Sequence, residues 1–179
     1  MAFDFQPTLR GSLLELRPLR ADDWDALFAV ASDPLIWEQH PANDRYKEEV
    51  FRRFFSEAME SGGALIALEL ADGRVIGSSR FHGYDDEASE VEIGWSFLAR
   101  AYWGGHYNGE MKRLMLQHAF RFVENVVFLI GSENRRSRRA VEKIGARLAG
   151  TRVGSDGQEK VVYRITAEGF KGGPLVEDT

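Results

Sequence analysis

The sequence predicts a mixed α/β (α+β) fold: a mostly antiparallel sheet of about seven strands with helices on both faces. Three observations predict it. The 179 residues match one ordinary domain and are 44% hydrophobic, enough to bury a full core. The middle of the chain carries period-2 strand patterns joined by a tight-turn signal. Beyond it, helical and strand patterns alternate, which requires a parallel pair within the sheet. No repeat, low-complexity tract or linker divides the chain, so residues 1–179 are read as a single domain.

Leu13-Leu14-Glu15-Leu16-Arg17 forms an opening strand, stopped by Pro18. Asp22 and Asp23 offer N-cap chemistry for a helix through Trp24, Leu27, Phe28 and Val30, which Pro34 ends. A connecting segment holds Ile36, Trp37, His40 and Pro41. From Tyr46 to Met59, the residues Val50, Phe51, Phe54, Phe55 and Met59 recur at helical spacing, and Gly62-Gly63 closes this helix. Ala64 to Leu70 and Arg74 to His82 flank Asp72-Gly73, a strong hairpin signal. After the turn Asp85-Asp86-Glu87, the strand Glu90 to Leu98 alternates Val91, Ile93 and Trp95 with Glu90, Glu92 and Gly94.

A glycine-rich turn then leads into a helix from about Asn108 to Val123, striped by Met111, Leu114, Met115, Ala119 and Phe122. Val126 to Ile130 is a short apolar run suited to a buried strand. The strands on either side of this helix should be parallel neighbours. Ser137 to Ile144 is helical, with Gly145 at the C′ position. Ala149 to Val153 and Val161 to Thr166 close the chain as a hairpin around Ser155-Asp156-Gly157. The predicted order is βααβββαβαββ.

Composition narrows the function classes. The net charge of −5 argues against a nucleic-acid partner and favours a cationic one such as an amine. No apolar run approaches the roughly 20 residues that span a bilayer, so no membrane role is expected. MAFDFQPTLRGS lacks the basic and apolar regions of a secretory signal. The chain has no cysteine, which excludes disulfides, thiolate metal sites and a cysteine-linked intermediate. Together these point to the cytoplasm, with no metal. The aromatic residues are numerous enough for a dimer patch and equally for a core, so monomer and homodimer both stay open.

The chemistry concentrates in YWGGHYNGEMKRLML, residues 102–116. A strand runs into Gly104-Gly105 and the chain then enters a helix. Glycines there permit unusual backbone angles and close approach to a ligand. The first helical amides lack internal partners and sit at the positive end of the helix dipole, which suits a phosphate or diphosphate. A plain tight turn is the competing reading. Neither a G-x-x-x-x-G-K-[ST] nor a G-x-G-x-x-G pattern is present, which sets aside P-loop and dinucleotide enzymes. Arg135, Arg136, Arg138, Arg139 and Lys143 form a basic cluster, read either as a solvated helix face or as an anion site.

The run EIGW…YWGGHYNGEMK, residues 92–112, resembles the acetyl-CoA-binding motif of the GNAT acetyltransferases, most nearly their RimJ/RimL-like branch. Leu13 to Pro18, Trp37 to Pro41, ENRRSRRAVEKIGA (residues 133–146) and the final hairpin resemble that branch in the same order. The resemblance implies a GNAT-type sheet with a parallel, splayed strand pair, and acetyl-CoA as cosubstrate. It implies main-chain amides of Gly104, Gly105, His106, Tyr107, Asn108 and Gly109 around the diphosphate. Asn134 and Ser137 would hold the pantetheine arm, with Phe97 and Leu98 beside it, and Arg138 (or Arg135 or Arg139) would meet the 3′-phosphate. Trp103 stands where the usual pattern begins with Arg or Gln, and the stretch from Gly94 to Trp103 is about one residue longer than usual. Asn134 and Ser137 also read simply as a helix cap and a first-turn hydroxyl.

Acetyl transfer needs an unprotonated amine, a polarised carbonyl and a proton for the thiolate. An α-amine, with a pKa of about 7.7 to 8, needs only a modest base, whereas a lysine amine near 10.4 needs more. Glu92 is the first candidate base, against its reading as a surface strand carboxylate; His82 and Glu38 are weaker. Trp37, His40 and His82 would line the acceptor side. Many GNAT enzymes place a tyrosine where this chain has Val141, so Ser137 is the candidate donor to sulfur. A backbone amide near the end of the 90–98 strand would serve the oxyanion. The acceptor would be a protein N-terminus or a small amine such as a polyamine, amino acid or aminoglycoside. A non-catalytic acyl-CoA-binding module is the competing class.

Overall fold

A computed structural model describes residues 2–177. Its sheet has eight strands: β1 (Leu9–Arg10), β2 (Leu14–Pro18), β3 (Ala64–Glu69), β4 (Val75–Asp85), β5 (Glu90–Leu98), β6 (Asn125–Ile130), β7 (Arg147–Val153) and β8 (Glu159–Thr166). They lie in the order β1-β2-β3-β4-β5-β6-β8-β7, antiparallel throughout except for β5 with β6. The helices are α1 (Trp24–Ala31), α2 (Glu48–Ser61), α3 (Tyr107–Ala119), α4 (Arg135–Lys143), α5 (Ala167–Lys171) and α6 (Pro174–Glu177). Among the described residues, no helix is long and apolar enough to cross a membrane.

Hydrophobic patterning sorts the helices onto two faces. On one, Met111, Met115 and Ala119 of α3 and Val141 of α4 pack on Leu16, Ile76, Val91, Ile93 and Phe128. On the other, Leu27 and Ala31 of α1 and Phe51, Phe54 and Phe55 of α2 pack on Ala64, Ile66 and Phe97. Because both faces are covered, the central strand β4 is buried continuously from Ile76 to Phe81. Gly62, at φ +70, ends α2, and Gly73, at φ +73, makes the β3–β4 turn.

Three details differ from the sequence reading. The sheet gains β1, a two-residue strand too short to carry a pattern, and α5 and α6 follow the last strand. Asp23 does not cap α1: its carboxylate receives Arg17 at 2.8 and 3.0 Å and the Arg20 amide at 2.8 Å. A buried ion pair to the neighbouring strand outcompetes the cap. The helix expected to reach Val123 ends at Ala119, followed by turns through Phe122.

Candidate active site

Divergence of the parallel strands opens the site. β5 and β6 pair only through Glu90, Glu92 and the intervening Val91, against Asn125 to Val127. Beyond that, Ile93–Leu98 and Phe128–Ile130 face each other as open edges. Opposite β4, a bulge sets Trp95 and Ser96 against Ser79 alone. Trp95 takes φ +54, an uncommon conformation for a bulky residue. The Arg80 guanidinium stacks on its ring at 4.3 Å and His82 meets it edge-on at 5.3 Å. The resulting cleft, of about 1520 Å³, is lined by the bulge, the segment 35–41, the start of α3 and one side of α4 along its length.

The strand-to-helix junction sits at one end of this cleft. The Trp103 indole donates to the Leu98 carbonyl at 2.8 Å, fixing the turn against the strand end. Gly104 then takes φ +72, and a Cβ on Gly104 or Gly105 would meet nothing within 4 Å. The first helical bond across the junction runs from the Glu110 amide to the His106 carbonyl at 2.9 Å. Among the described residues, the amides of residues 104–109 donate no hydrogen bond. Six open donors at the positive end of a 13-residue helix make an anion cradle.

Gly104, Gly105, His106, Asn108 and Gly109 line the cleft. The Tyr107 side chain turns away: its hydroxyl and that of Tyr102 both donate to Glu69, at 3.0 and 2.6 Å. Only its amide can serve the cradle. Glu110, in the same turn, accepts from the amides of Ser12, Leu13 and Leu14 and the Ser12 hydroxyl at 2.8 to 2.9 Å. Burial opposes its ionisation, but these bonds hold its pKa below the ordinary range.

The facing wall is α4. Asn134 is buried, and its side chain accepts from the Ser137 amide at 3.4 Å, so it caps the helix. Ser137 lines the cleft, and its hydroxyl makes no hydrogen bond among the described residues. Arg138, expected at the 3′-phosphate, lies outside the lining of the cleft. Its guanidinium donates to the Tyr163 hydroxyl at 3.1 Å and the Ser132 carbonyl at 2.9 Å, while Arg135, Arg139 and Lys143 line the cleft. Arg136 reaches across the opening: it donates to the Ile36 carbonyl at 2.8 Å and covers the Trp103 ring at 3.8 Å.

Phe97 and Leu98, expected beside the pantetheine arm, line the cleft, as do Glu38 and the expected acceptor residues Trp37 and His40; His82 lies outside its lining. Trp37 is buried and anchored, its indole donating to the Ala31 carbonyl at 2.8 Å. His40 accepts from the Ala42 amide at 2.9 Å, and burial with the nearby Arg45 pushes its pKa down to about 3. It is a neutral wall residue. Burial, then the charge of Arg80, also lowers His82. Glu92 lies on the same face beside Gly94, accepts no hydrogen bond among the described residues, and is pushed up by burial to about 7. Its environment suits proton transfer near neutrality.

Sequence reasoning missed three groups here. Lys112, buried, makes one hydrogen bond among the described residues, to Ser96 at 2.6 Å, and Ser96 pairs with Ser79 at 2.7 Å. Burial lowers Lys112 to about 7. Arg45 and Arg80 sit among Trp37, Phe54 and Trp95. For Arg80 a signal existed: a charge in mid-strand, within a sheet covered on both faces, must be buried.

Comparisons with known proteins agree with this architecture. No curated protein matches the sequence. Among solved structures, one from T. thermophilus, assigned as an acetyltransferase, superposes with TM-score 0.76 at 27% identity, covering 96% of this chain and 95% of that one. The acetyltransferase from Agrobacterium tumefaciens gives 0.69 at 26% identity, covering 89% and 94%. Mycobacterium smegmatis RimJ, in complex with CoA-disulfide, gives 0.67 at 22% identity, covering 94% and 91%, a likeness of fold. The family model described as acetyltransferase (GNAT) domain matches residues 14–147, and the chain belongs to that family.

Proposed function

We propose that this chain is an acetyl-CoA-dependent N-acetyltransferase of RimJ/RimL-like type, passing acetyl to a primary amine by direct attack in a ternary complex. The observation that carries the reading is the set of open amides at residues 104–109, lying at the mouth of the β5–β6 splay. That arrangement fits coenzyme A. The amides suit its diphosphate, the unpaired strand edges suit the amides of pantetheine, and Arg135 or Arg139 suits the 3′-phosphate.

Coenzyme A supplies an activated acyl thioester; the chain's own residues do the rest. Glu92 accepts a proton from the amine, directly or through water, as its nitrogen attacks the carbonyl carbon. A backbone amide of the 95–98 bulge steadies the developing oxyanion. The carbon–sulfur bond then breaks, the Ser137 hydroxyl donating a hydrogen bond to the departing thiolate, which takes its proton from solvent. Because Glu92 titrates near 7, it is matched to an α-amine better than to a lysine side chain. Protein N-termini and small amines both satisfy this chemistry.

Calorimetry with coenzyme A tests the cradle, and thiol release from acetyl-CoA across amines and N-terminal peptides tests transfer. Glu92→Gln and Ser137→Ala should each lower the transfer rate while coenzyme A still binds. Coenzyme binding without turnover of any amine would instead favour a non-catalytic acyl-CoA-binding module. No detectable binding of the coenzyme would end the proposal.

A further inference from the structure

Two arginines on the acceptor side lack the counterion that their burial calls for. Arg80 projects from β4 toward α2 and is 6% exposed. Its Nε is buried with no hydrogen-bond partner, and among the described residues its guanidinium forms no ion pair. Its neighbours are aromatic faces, Trp95 at 4.3 Å and Phe54 at 5.5 Å. Arg45, half-buried and lining the cleft, lies over the same Phe54 ring at 4.5 Å and 5.2 Å from Trp37. It too has no ion pair among the described residues. Glu57 of α2 and Glu92 of β5 act on Arg80 only from a distance, and Arg45 repels it.

Aromatic stacking offsets part of the cost of burying a guanidinium but provides no acceptor for its N–H groups. Two cations that share the Phe54 ring, one of them nine-tenths buried, form a preorganised receptor for an anionic oxygen group. They lie on the face of the sheet that carries Glu92 and Gly94, next to the bulge. Arg80 is the cross-strand partner of Gly94, two residues along β5 from Glu92, so an amine at Glu92 would lie on the same face as Arg80.

We propose that Arg80 and Arg45 bind a carboxylate carried by the acceptor, so that the amine substrate is one bearing its own acid group. The inference rests on the acetyl-transfer reading of the cleft and narrows its substrate class. Simple polyamines and aminoglycosides, which place only positive charge near the arginines, are selected against. The carboxylate can be that of a free amino acid or of an acidic residue at a peptide N-terminus.

The experiment compares free amino acids with their carboxamides, and peptides beginning Asp or Glu with peptides beginning Ala, by thiol release. Each pair removes the acid group, and kcat/KM is referred to the unprotonated amine, because a free α-carboxylate raises the pKa of the amine beside it. The acid-bearing member of at least one pair should have a kcat/KM higher by about tenfold or more, because the arginines are otherwise left unpaired. That preference should fall to within about threefold in Arg80→Met and in Arg45→Met. Near-equal kcat/KM within both pairs overturns the inference, whatever the absolute rates. A binding arm needs neither turnover nor a folded variant: N-acetylated amino acids and peptides, the products, are titrated into the wild-type protein alongside their amides. Tighter binding of the acids supports the proposal, and equal binding overturns it. Failure of coenzyme A to bind would defeat the acetyl-transfer reading separately, since neither arginine touches the cradle at residues 104–109.

Discussion

Lys112→Met should stabilise the protein, and by an amount that depends on pH. Burial lowers the Lys112 pKa from an ordinary 10.5 to about 7, with one hydroxyl as its hydrogen-bond partner among the described residues. At 1.36 kcal/mol per unit, that difference corresponds to roughly 5 kcal/mol of stability withheld below pH 7, where both folded and unfolded chains carry the proton. Between about 7 and 10.5 the unfolded chain holds the proton and the folded chain does not, so stability rises with pH through that window. Met keeps the aliphatic stem and removes the charge, and Ser96 retains Ser79 as a partner. The variant should gain on the order of 3 to 5 kcal/mol at pH 6, shrinking by about 2 to 3 kcal/mol at pH 9. Urea unfolding of both proteins at pH 6, 7, 8 and 9, with equal m-values, measures the difference. Glu92 acts with the opposite sign as pH rises through about 7, but it is common to both proteins and cancels. A gain that is flat across pH, or a loss at pH 6, would show that Lys112 keeps its proton in the fold and that the reasoning fails.

Three further outcomes follow from the site. As a base, Glu92 must be ionised, so kcat/KM should rise with pH through about 7; Glu92→Gln should abolish that limb and lower the rate by about 10²-fold, read from a pH–rate profile. Glu110→Gln presents an amide N–H₂ to backbone donors and should cost about 2 to 4 kcal/mol in chemical unfolding at pH 7. Because the Glu110 pKa is depressed, the stability it contributes is present above its ordinary 4.5 and lost as pH falls through the folded value, so the two proteins should converge in acid. Gly104→Ala meets no steric obstacle but must hold φ +72; it should cost roughly 1 kcal/mol and weaken coenzyme A binding in calorimetry more than Gly105→Ala does.

The fold was legible where backbone chemistry and periodicity agree. Asp72-Gly73 marks its hairpin because only a residue tolerant of positive φ suits that turn, and Gly73 occupies it at +73. The parallel pairing of β5 with β6 followed from a helix between two strands. The misses have local causes. β1 has two residues, too few to alternate, and is held by its register against Glu15 and Leu16. α5 does carry a start signal, the Thr166 hydroxyl accepting from the Gly169 amide at 2.9 Å, but the helix is short enough to read as a tail. Asp23 has the chemistry of a cap and was diverted by Arg17, whose place beside it is set by the β2–β3 pairing.

The site divides along a different line. Its backbone part is written locally: glycines, then a helix start, put open amides in one place whatever the rest of the chain does. Its side-chain part depends on what covers each face of the sheet. Glu92 alternates with Val91 and Ile93 as a surface carboxylate would, yet α1 and α2 cover that face and burial raises its pKa. Arg80 and Lys112 read as ordinary polar positions in a strand and a helix, and become buried cations only once both layers are in place. Arg138 and Arg139 are neighbours in one basic run, but the helix turns one onto Tyr163 and the other into the cleft. On the proposed reading, acceptor selectivity depends on charges that separate elements bring together, whereas the diphosphate cradle is one continuous segment. If that reading holds, substitutions at Arg80 or Arg45 change the preferred amine while leaving the amide cradle at residues 104–109 intact.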